Sequence, residues 1–335
     1  MKNILFFFFF SFILLISCKE ESITPIPETT TIWEKVADLP GDYLYLKTKG
    51  SAIYMVCYKD EYKFAVSQDS GKHWQVSNIG FLPNYNNGFL SVEGSTFFIS
   101  GYDGLFKSTD NGLSWSEDLL LRNFVGASYS IPGLTSMCVE SEKIYLGNNK
   151  TLNMPGHVKG IFYSSDNGET WSCPGSAETP WRVTAIKKID NKLIVSDFKV
   201  LYSEDSLNTW QEASGGSGDV YEFIQDNSRI YAIAYSFLKY SDDKGRHWIN
   251  CTPPFKNYEF GLFLTFTFNN DKMFIIDNKG IIHYSSKSNI EWKELDSELP
   301  AFDPFPYENQ IMFTLGNDYL YYISNDKLWR KKITE

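Results

Sequence analysis

Few of the residues that ordinarily carry chemistry are present. The 335-residue chain has four histidines, which are scattered, with His73 and His247 each directly preceding a tryptophan. That arrangement offers neither a metal cluster nor a Ser-His-Asp set. Besides Cys18, the cysteines Cys57, Cys138, Cys173 and Cys251 fall on separate predicted strands without ligand spacing. An oxidising compartment would permit disulfides among them, and buried free thiols are the alternative. There are only five arginines, the formal charge is −10, and no basic patch is visible. This excludes a nucleic-acid partner, whose phosphate backbone needs such a patch to displace counterions. No glycine-rich stretch is followed by the lysine and helix of a phosphate loop, and no Asp-x-Gly fragment has calcium-loop spacing, so neither cofactor nor metal is expected. Long apolar stripes at helical spacing are missing too. In their place stand aromatics, 17% of the chain and mostly Tyr and Phe, a balance that belongs to strands. An all-β chain is the first inference, long enough for one large domain or two ordinary ones.

The N-terminus reads as an address. Met1-Lys2-Asn3 precede a run from Ile4 to Ile16 that is apolar except for Ser11, and Ser17-Cys18 follow. The run is too short for a stable bilayer span and has the order of a secretory signal. Leu15-Ile16-Ser17-Cys18 resembles a bacterial lipobox, which implies cleavage before Cys18 and acylation of that cysteine; several acyl chains together hold a protein on a membrane. A plain signal peptide with an incidental cysteine, or an uncleaved anchor, is the alternative. Lys19-Glu20-Glu21 resembles the Lys-plus-acidic signal that sends lipoproteins of Bacteroidetes-type bacteria to the outer face of the outer membrane. The cell surface is therefore the expected location, and the periplasmic face the other address. The expected division is a signal peptide over 1–17, a lipidated cysteine and flexible tether over 18–30, and one folded domain over 31–335.

A motif of the form Ser-x-Asp-x-Gly-x-x-Trp carries the fold. It is intact at Ser67–Trp74, Ser108–Trp115, Ser164–Trp171 and Ser241–Trp248. Two copies are worn: Ser203–Trp210 keeps Asp205 but has Leu207 for Gly, and Ser285–Trp292 has Lys287 for Asp and Asn289 for Gly. In each, the Asp carboxylate is expected to accept turn N–H groups, Gly to supply a positive φ, and Trp to start the outgoing strand and pack on a neighbouring sheet. Three strand patterns precede each motif, so one unit holds four short strands, the content of a propeller blade. Successive motif tryptophans lie 41, 56, 39, 38 and 44 residues apart. The segment Thr31–Val36 looks like an outgoing Trp strand without its hairpin, and Asp326–Arg330 like a third strand that runs out of chain. Joining them predicts a seven-bladed β-propeller of four-stranded antiparallel blades, the last blade closed by N- and C-terminal strands, with no free edge.

These repeats resemble Asp-box, or BNR, repeats of the sialidase-like superfamily. The resemblance covers residues 31–335 and implies that the motif hairpins, with Asp69, Asp110, Asp166, Asp205 and Asp243 in structural roles, face away from the usual ligand side. Sialidases of this kind hold a substrate carboxylate with three arginines, since guanidinium forms bidentate, permanently charged hydrogen bonds. Here Arg246 lies in a motif, Arg330 in a third strand and Arg229 in a turn expected on the opposite side, leaving Arg122 and Arg182, one short of a triad. The Arg-Ile-Pro segment is also missing; Ser130-Ile131-Pro132 lacks the charge. A carboxylate-based glycoside hydrolase needs only two acids across a cleft, and Asp60, Glu61, Asp103, Asp197 and Asp277 fall in loops between second and third strands, where ordinary turn chemistry is the competing explanation. Seven-bladed assembly factors of photosystem II are a third kin, which the acidic charge and sparse arginines fit poorly.

Inter-blade loops and second-to-third-strand loops converge on one face, where a partner would bind. Gly215-Gly216-Ser217-Gly218 reads as one such flexible inter-blade loop. The third unit carries an insertion, Asn148–Lys159, with His157 in it, and Thr179-Pro180-Trp181-Arg182 should lie beside it. Trp181 is the tryptophan that belongs neither to a motif nor to the closing blade, and with Arg182 it suits stacking on a sugar ring or a protein hot spot; covering a blade edge is the other reading. The candidate ligand-binding set is Trp181, Arg182, Arg122, His157, Tyr102, Asp103, Asp197, Phe198 and Tyr258, with Tyr85, Phe255 and Phe305 as further aromatics of that face. The expectation is a monomeric, non-catalytic envelope lipoprotein that binds a glycan or an envelope protein, with a glycoside hydrolase as the alternative.

Overall fold

The two ends of the chain share one sheet. The structure is a computed structural model that describes residues 33–39, 42–58, 60–80, 89–100, 104–116, 119, 133–148, 160–173, 179–205, 207–234, 236–254, 265–277, 279–295, 299–300, 313–324 and 327–333. In it β1 (Glu34–Asp38) pairs antiparallel with β26 (Lys327–Lys332), Lys35 opposite Trp329. With β24 (Phe313–Gly316) and β25 (Tyr319–Ser324) they form a four-stranded blade in the order β1-β26-β25-β24. The expected closure is what the chain adopts.

The other blades follow in sequence order. Blade one is β2 (Asp42–Lys49), β3 (Ala52–Tyr58), β4 (Tyr62–Ser67) and β5 (Gln75–Gly80); blade two has β6 (Leu90–Glu93), β7 (Thr96–Ser100) and β8 (Leu105–Ser108). Blade three has β9 (Leu134–Glu140), β10 (Lys143–Asn148) and β11 (Ile161–Ser164). Blade four is β12 (Ala185–Ile189), β13 (Lys192–Ser196), β14 (Lys199–Ser203) and β15 (Gln211–Ser217), and blade five is β16 (Val220–Asp226), β17 (Arg229–Ala234), β18 (Leu238–Ser241) and β19 (Ile249–Asn250). Blade six is β20 (Thr265–Phe268), β21 (Lys272–Ile276), β22 (Ile282–Ser286) and β23 (Lys293–Glu294). In blades two and three the outgoing segment still bonds to the third strand: Ser116 N donates to Lys107 O at 2.8 Å, and Tyr163 and Ser172 exchange two bonds of 2.8 Å. The fold is thus an all-β, seven-bladed propeller. Among the described residues there is no helix, and hence none long and apolar enough to cross a membrane.

Each of seven apolar clusters straddles one blade interface. Phe64 of blade one packs on Phe97 of blade two at 5.2 Å and on Trp115 at 5.3 Å. Every motif tryptophan lies against the preceding blade: Trp74 packs with Tyr321 and Leu328 of blade seven, Trp171 with Phe98 and Leu105 of blade two, and Trp248 with Ala185 and Ile194 of blade four. Trp33 does the same from the closing blade, against Phe274 and Ile282 of blade six. First strands are stitched by hydroxyls, with Thr135 Oγ1 donating to Val183 O at 2.7 Å and Thr184 Oγ1 to Val220 O at 2.6 Å. Across the axis Lys47 of β2 meets Glu222 of β16 at 3.8 Å.

The motif turns are built alike. In blade one, Ser67 Oγ accepts from Gly71 N at 2.8 Å and donates to Asp69 Oδ1 at 2.9 Å, and that oxygen also accepts from His73 N at 2.9 Å. The second carboxylate oxygen takes a side-chain donor from the residue just before the tryptophan: Ser114 to Asp110 at 2.6 Å, Thr170 to Asp166 at 2.5 Å and Thr209 to Asp205 at 2.7 Å, with His73 and His247 facing Asp69 and Asp243 in the same place. The worn fourth-blade turn keeps this net, with Leu207 held at φ 77° and its side chain buried among Tyr145, Leu193 and Trp210. The worn sixth-blade turn does not. Its Lys287 ammonium instead reaches back to pair with Asp226 of blade five and donates to Asn269 O at 2.9 Å.

These bonds make stability pH-dependent. The Ser114 hydroxyl and N–H hold Asp110 down at about 2, and Thr170 does the same for Asp166. For Asp243, burial pushes the other way, but His247 and Ser241 still bring the carboxyl to about 2. A depressed folded-state pKa adds stability that is complete above the unfolded value of about 3.9 and disappears as pH falls through the folded value. Denaturant unfolding followed from pH 5 downward should therefore show stability falling between about pH 4 and pH 2. In Asp110→Asn the pH dependence should be shallower over that range.

One loop expectation is corrected. Gly215, Gly216 and Ser217 belong to strand β15. Ser214 N donates to Arg246 O and Trp248 N to Ser214 O, both at 2.9 Å, so the next blade's turn runs alongside this strand. A Cβ on Gly215 would lie 2.4 Å from Trp248 O, and one on Gly216 2.8 Å from Val200 Cβ. The glycines are there for close backbone approach, which sequence composition also produces in loops.

Candidate functional site

Three turns meet at the edge of blade four. The first enters β12: Gly160 N donates to Pro180 O at 2.9 Å, Asn148 N to Gly160 O at 2.8 Å and Val183 N to Asn148 O at 2.7 Å. Asn148 and Gly160 flank the third-blade insertion, so the expected adjacency holds at its two ends. Gly160 has Pro180 O and the Trp181 carbonyl carbon 3.0 Å from where a Cβ would be, which fixes the backbone beneath Trp181. Trp181 is 43% exposed.

The second turn is Asp197-Phe198, between β13 and β14. Asp197 N donates to Lys199 O at 2.9 Å, and Phe198 has φ 55° with 67% of its surface in water. A phenylalanine gains nothing from either condition: left-handed backbone is costly for a residue with a Cβ, and an exposed ring forgoes burial. The third turn, Gly218-Asp219 between β15 and β16, holds it there. Asp219 Oδ1 accepts from Phe198 N at 3.0 Å and from Arg182 Nη1 at 2.9 Å, while Gly218 N donates to Phe198 O at 2.9 Å. The Arg182 guanidinium lies 4.4 Å over the Phe198 ring, so one cation closes the three turns together.

Four of the residues singled out in the sequence, Trp181, Arg182, Asp197 and Phe198, are thus brought together. Burial pushes the Asp197 carboxyl up, with Arg182 pulling it down and Asp219 adding to the rise. Arg122, His157, Tyr102, Asp103 and Tyr258 lie outside the described residues, as do Cys18, Tyr85, Phe255 and Phe305. Asp277 is buried; it accepts from Lys279 N at 2.8 Å and Ile281 N at 2.9 Å and faces His283 Nε2 at 3.0 Å, which is turn chemistry. Asp60 and Glu61 are exposed on their hairpin.

Sequence reading missed Asp219 and Phe237. The Lys239 ammonium stands 4.5 Å over the Phe237 ring and donates to Gly215 O at 2.8 Å and Ser217 O at 2.9 Å. Gly218, at φ 100°, leaves room for that ring, since a Cβ there would sit 2.4 Å from it. Gly-Asp at an inter-blade turn was the available signal for Asp219.

Among the described residues every arginine is ion-paired: Arg182 with Asp219, Arg229 with Asp242, Arg246 with Glu204 and Arg330 with Glu34. None is left to clamp a carboxylate. No group of three His, Cys, Asp or Glu side chains is placed to hold a metal among the described residues. Cys57, Cys138 and Cys251 are free thiols, and burial pushes Cys57 and Cys251 up to about 12. An open cavity of about 490 Å³ lies elsewhere, between blades five and six beside the worn turn. Its two cations, Arg229 and Lys287, already pair with Asp242 and Asp226.

No protein-family pattern and no curated protein matches the chain. Solved structures do. YCF48 bound to D1 peptide superposes with a TM-score of 0.57 at 14% identity, over 90% of this chain and 96% of that one. The extracellular domain of the putative one-component system BT4673 from B. thetaiotaomicron gives 0.58 at 8% identity, over 92% of this chain and 40% of that one. PorZ, a surface component of the type-IX secretion system of Porphyromonas gingivalis, gives 0.56 at 11%, over 91% and 38%. The chain therefore spans about two fifths of the BT4673 extracellular domain and of PorZ, and nearly all of YCF48. At these identities the likeness shows the fold: this chain is a β-propeller.

Proposed function

We propose that the chain is an Asp-box propeller of the sialidase-like type, held on the outer membrane of a bacterium by an acylated Cys18, probing the cell exterior as a monomeric, non-catalytic glycan-binding module. The order of Lys2, the apolar run, Leu15-Ile16-Ser17-Cys18 and Lys19-Glu20-Glu21 supports the address. So does the likeness to an extracellular domain and to a bacterial surface component. The binding reading rests on one observation above all. Trp181 and Phe198 are both exposed; Trp181 precedes Arg182 in the chain, and the Arg182–Asp219 pair fixes Phe198 in a conformation that folding alone does not favour. Strain of this kind clusters at ligand sites, and exposed rings on a rigid support are the common platform for sugars and hot spots.

The test is retention on glycan supports. Trp181→Ala should weaken retention at least about tenfold, the scale of a hot-spot aromatic, with folding stability changed by less than about 0.5 kcal/mol because the ring is half in water. Unchanged retention would contradict the reading. The hydrolase alternative has one observation in its favour, the half-buried Asp197 carboxyl that burial pushes up, the direction expected of a general acid. Glycan turnover that disappears in Asp197→Asn would establish it.

A further inference from the structure

We infer that the ligand of the Trp181 platform is a neutral, hydroxyl-rich glycan and not an acidic one. The inference rests on the glycan-binding reading and narrows it through the hydrogen-bonding capacity left at the three turns. Among the described residues the three cations there, Arg182, Lys199 and Lys239, are all engaged. Arg182 is bonded to Asp219 and stacked on Phe198, Lys199 pairs with Glu212 at 2.5 Å, and Lys239 donates to two carbonyls while covering Phe237. Turning Arg182 to a ligand carboxylate would lift the guanidinium off the Phe198 ring and leave Asp219 without its charge partner, so an acidic sugar would weaken the platform that it binds. What the described residues leave is acceptor capacity and apolar ring surface. The half-buried Asp197 carboxylate lies in the turn next to the exposed Phe198 ring, and an ionised carboxylate accepts only. A ligand matching this pair presents O–H donors at its rim and C–H groups on its face, which is a neutral pyranose ring. A sialic or uronic acid would bring a third carboxylate to a cluster that already holds Asp197 and Asp219.

The purified chain should be titrated calorimetrically with cellohexaose, mannohexaose and galactohexaose as neutral probes, with sialyllactose and oligogalacturonate as acidic ones, and with oligolysine. At least one neutral hexaose should bind, with a loss of tenfold or more in both Trp181→Ala and Asp197→Ala, while Asp197→Asn, which keeps one acceptor oxygen, loses less. Acidic probes should bind at least tenfold more weakly than the best neutral one, and raised salt should leave the neutral titration unchanged. Acidic probes binding more tightly than neutral ones, with the preference lost in Arg182→Met, would overturn the inference while leaving a Trp181-centred binding module in place. Tightest binding of oligolysine, abolished in Asp197→Asn, would overturn it in favour of a basic peptide. Neutral binding indifferent to Trp181→Ala would overturn both this inference and the proposed site.

Discussion

Gly112→Ala should lower folding stability by about 3 to 4 kcal/mol, read as a shift in denaturant midpoint at unchanged slope. Two effects add. The residue has φ 83°, where a Cβ costs about 1–2 kcal/mol. The new methyl would also stand 2.3 Å from the Phe64 ring, and forcing atoms into a packed core costs about 1–3 kcal/mol. Phe64 has nowhere to go, being 1% exposed and fixed between Tyr54, Phe97 and Trp115. Gly94→Ala is the control: its φ is 64°, but nothing lies within 4 Å of the new Cβ. That variant should lose only the conformational part, about 1–2 kcal/mol. Equal losses in the two would mean that the motif glycine does not seat one blade on the next.

Trp33→Ala should cost about 3–5 kcal/mol, the usual range for deleting a large buried ring. Trp33 is 8% exposed, meets Tyr322 edge-on at 6.0 Å, and packs on Phe274, Ile276 and Ile282 of blade six. It therefore joins the start of the folded chain to its last two blades. Against a typical total of about 5–15 kcal/mol, the loss should bring a detectable fraction of open rings. Trp33→Phe should be far milder, since the indole N–H makes no hydrogen bond that would be lost. A Trp33→Ala variant as stable as the parent would show that the N-terminal strand is dispensable for closure.

The blades were legible because each is announced by a turn whose residues act locally. Ser67, Asp69 and Gly71 satisfy one another within five positions, so the signal survives in sequence whatever the rest of the blade does. Closure was legible for the same reason, Trp33 and Trp329 being the two halves of one repeat. The donor before each tryptophan was overlooked because His, Ser and Thr look unrelated until Asp69, Asp110, Asp166, Asp205 and Asp243 are seen to take a contact from that position. Lys287 with Glu291 reverses the charges there, and the structure shows the lysine leaving the turn for Asp226.

The site was legible only in part. Trp181 stood out by belonging to no repeat, and Arg182 by adjacency. That Arg182 would bond to Asp219, 37 positions away, depends on where blades four and five abut, which periodicity does not encode. Phe198 looked like one aromatic among many, because exposure and a positive φ are properties of its turn. The glycines of β15 misled for a related reason, since a strand squeezed between β14 and the following hairpin needs the same residues as a loop.

Hydrogen exchange read by mass spectrometry on the peptide spanning residues 33–38 tests the closed ring most directly. Antiparallel pairing with β26 should protect the β26-facing amides of this edge strand, about half of them, and release them together with those of Lys327–Lys332 on unfolding. Exchange of 33–38 within seconds while 327–332 stays protected would contradict a propeller closed by its two ends.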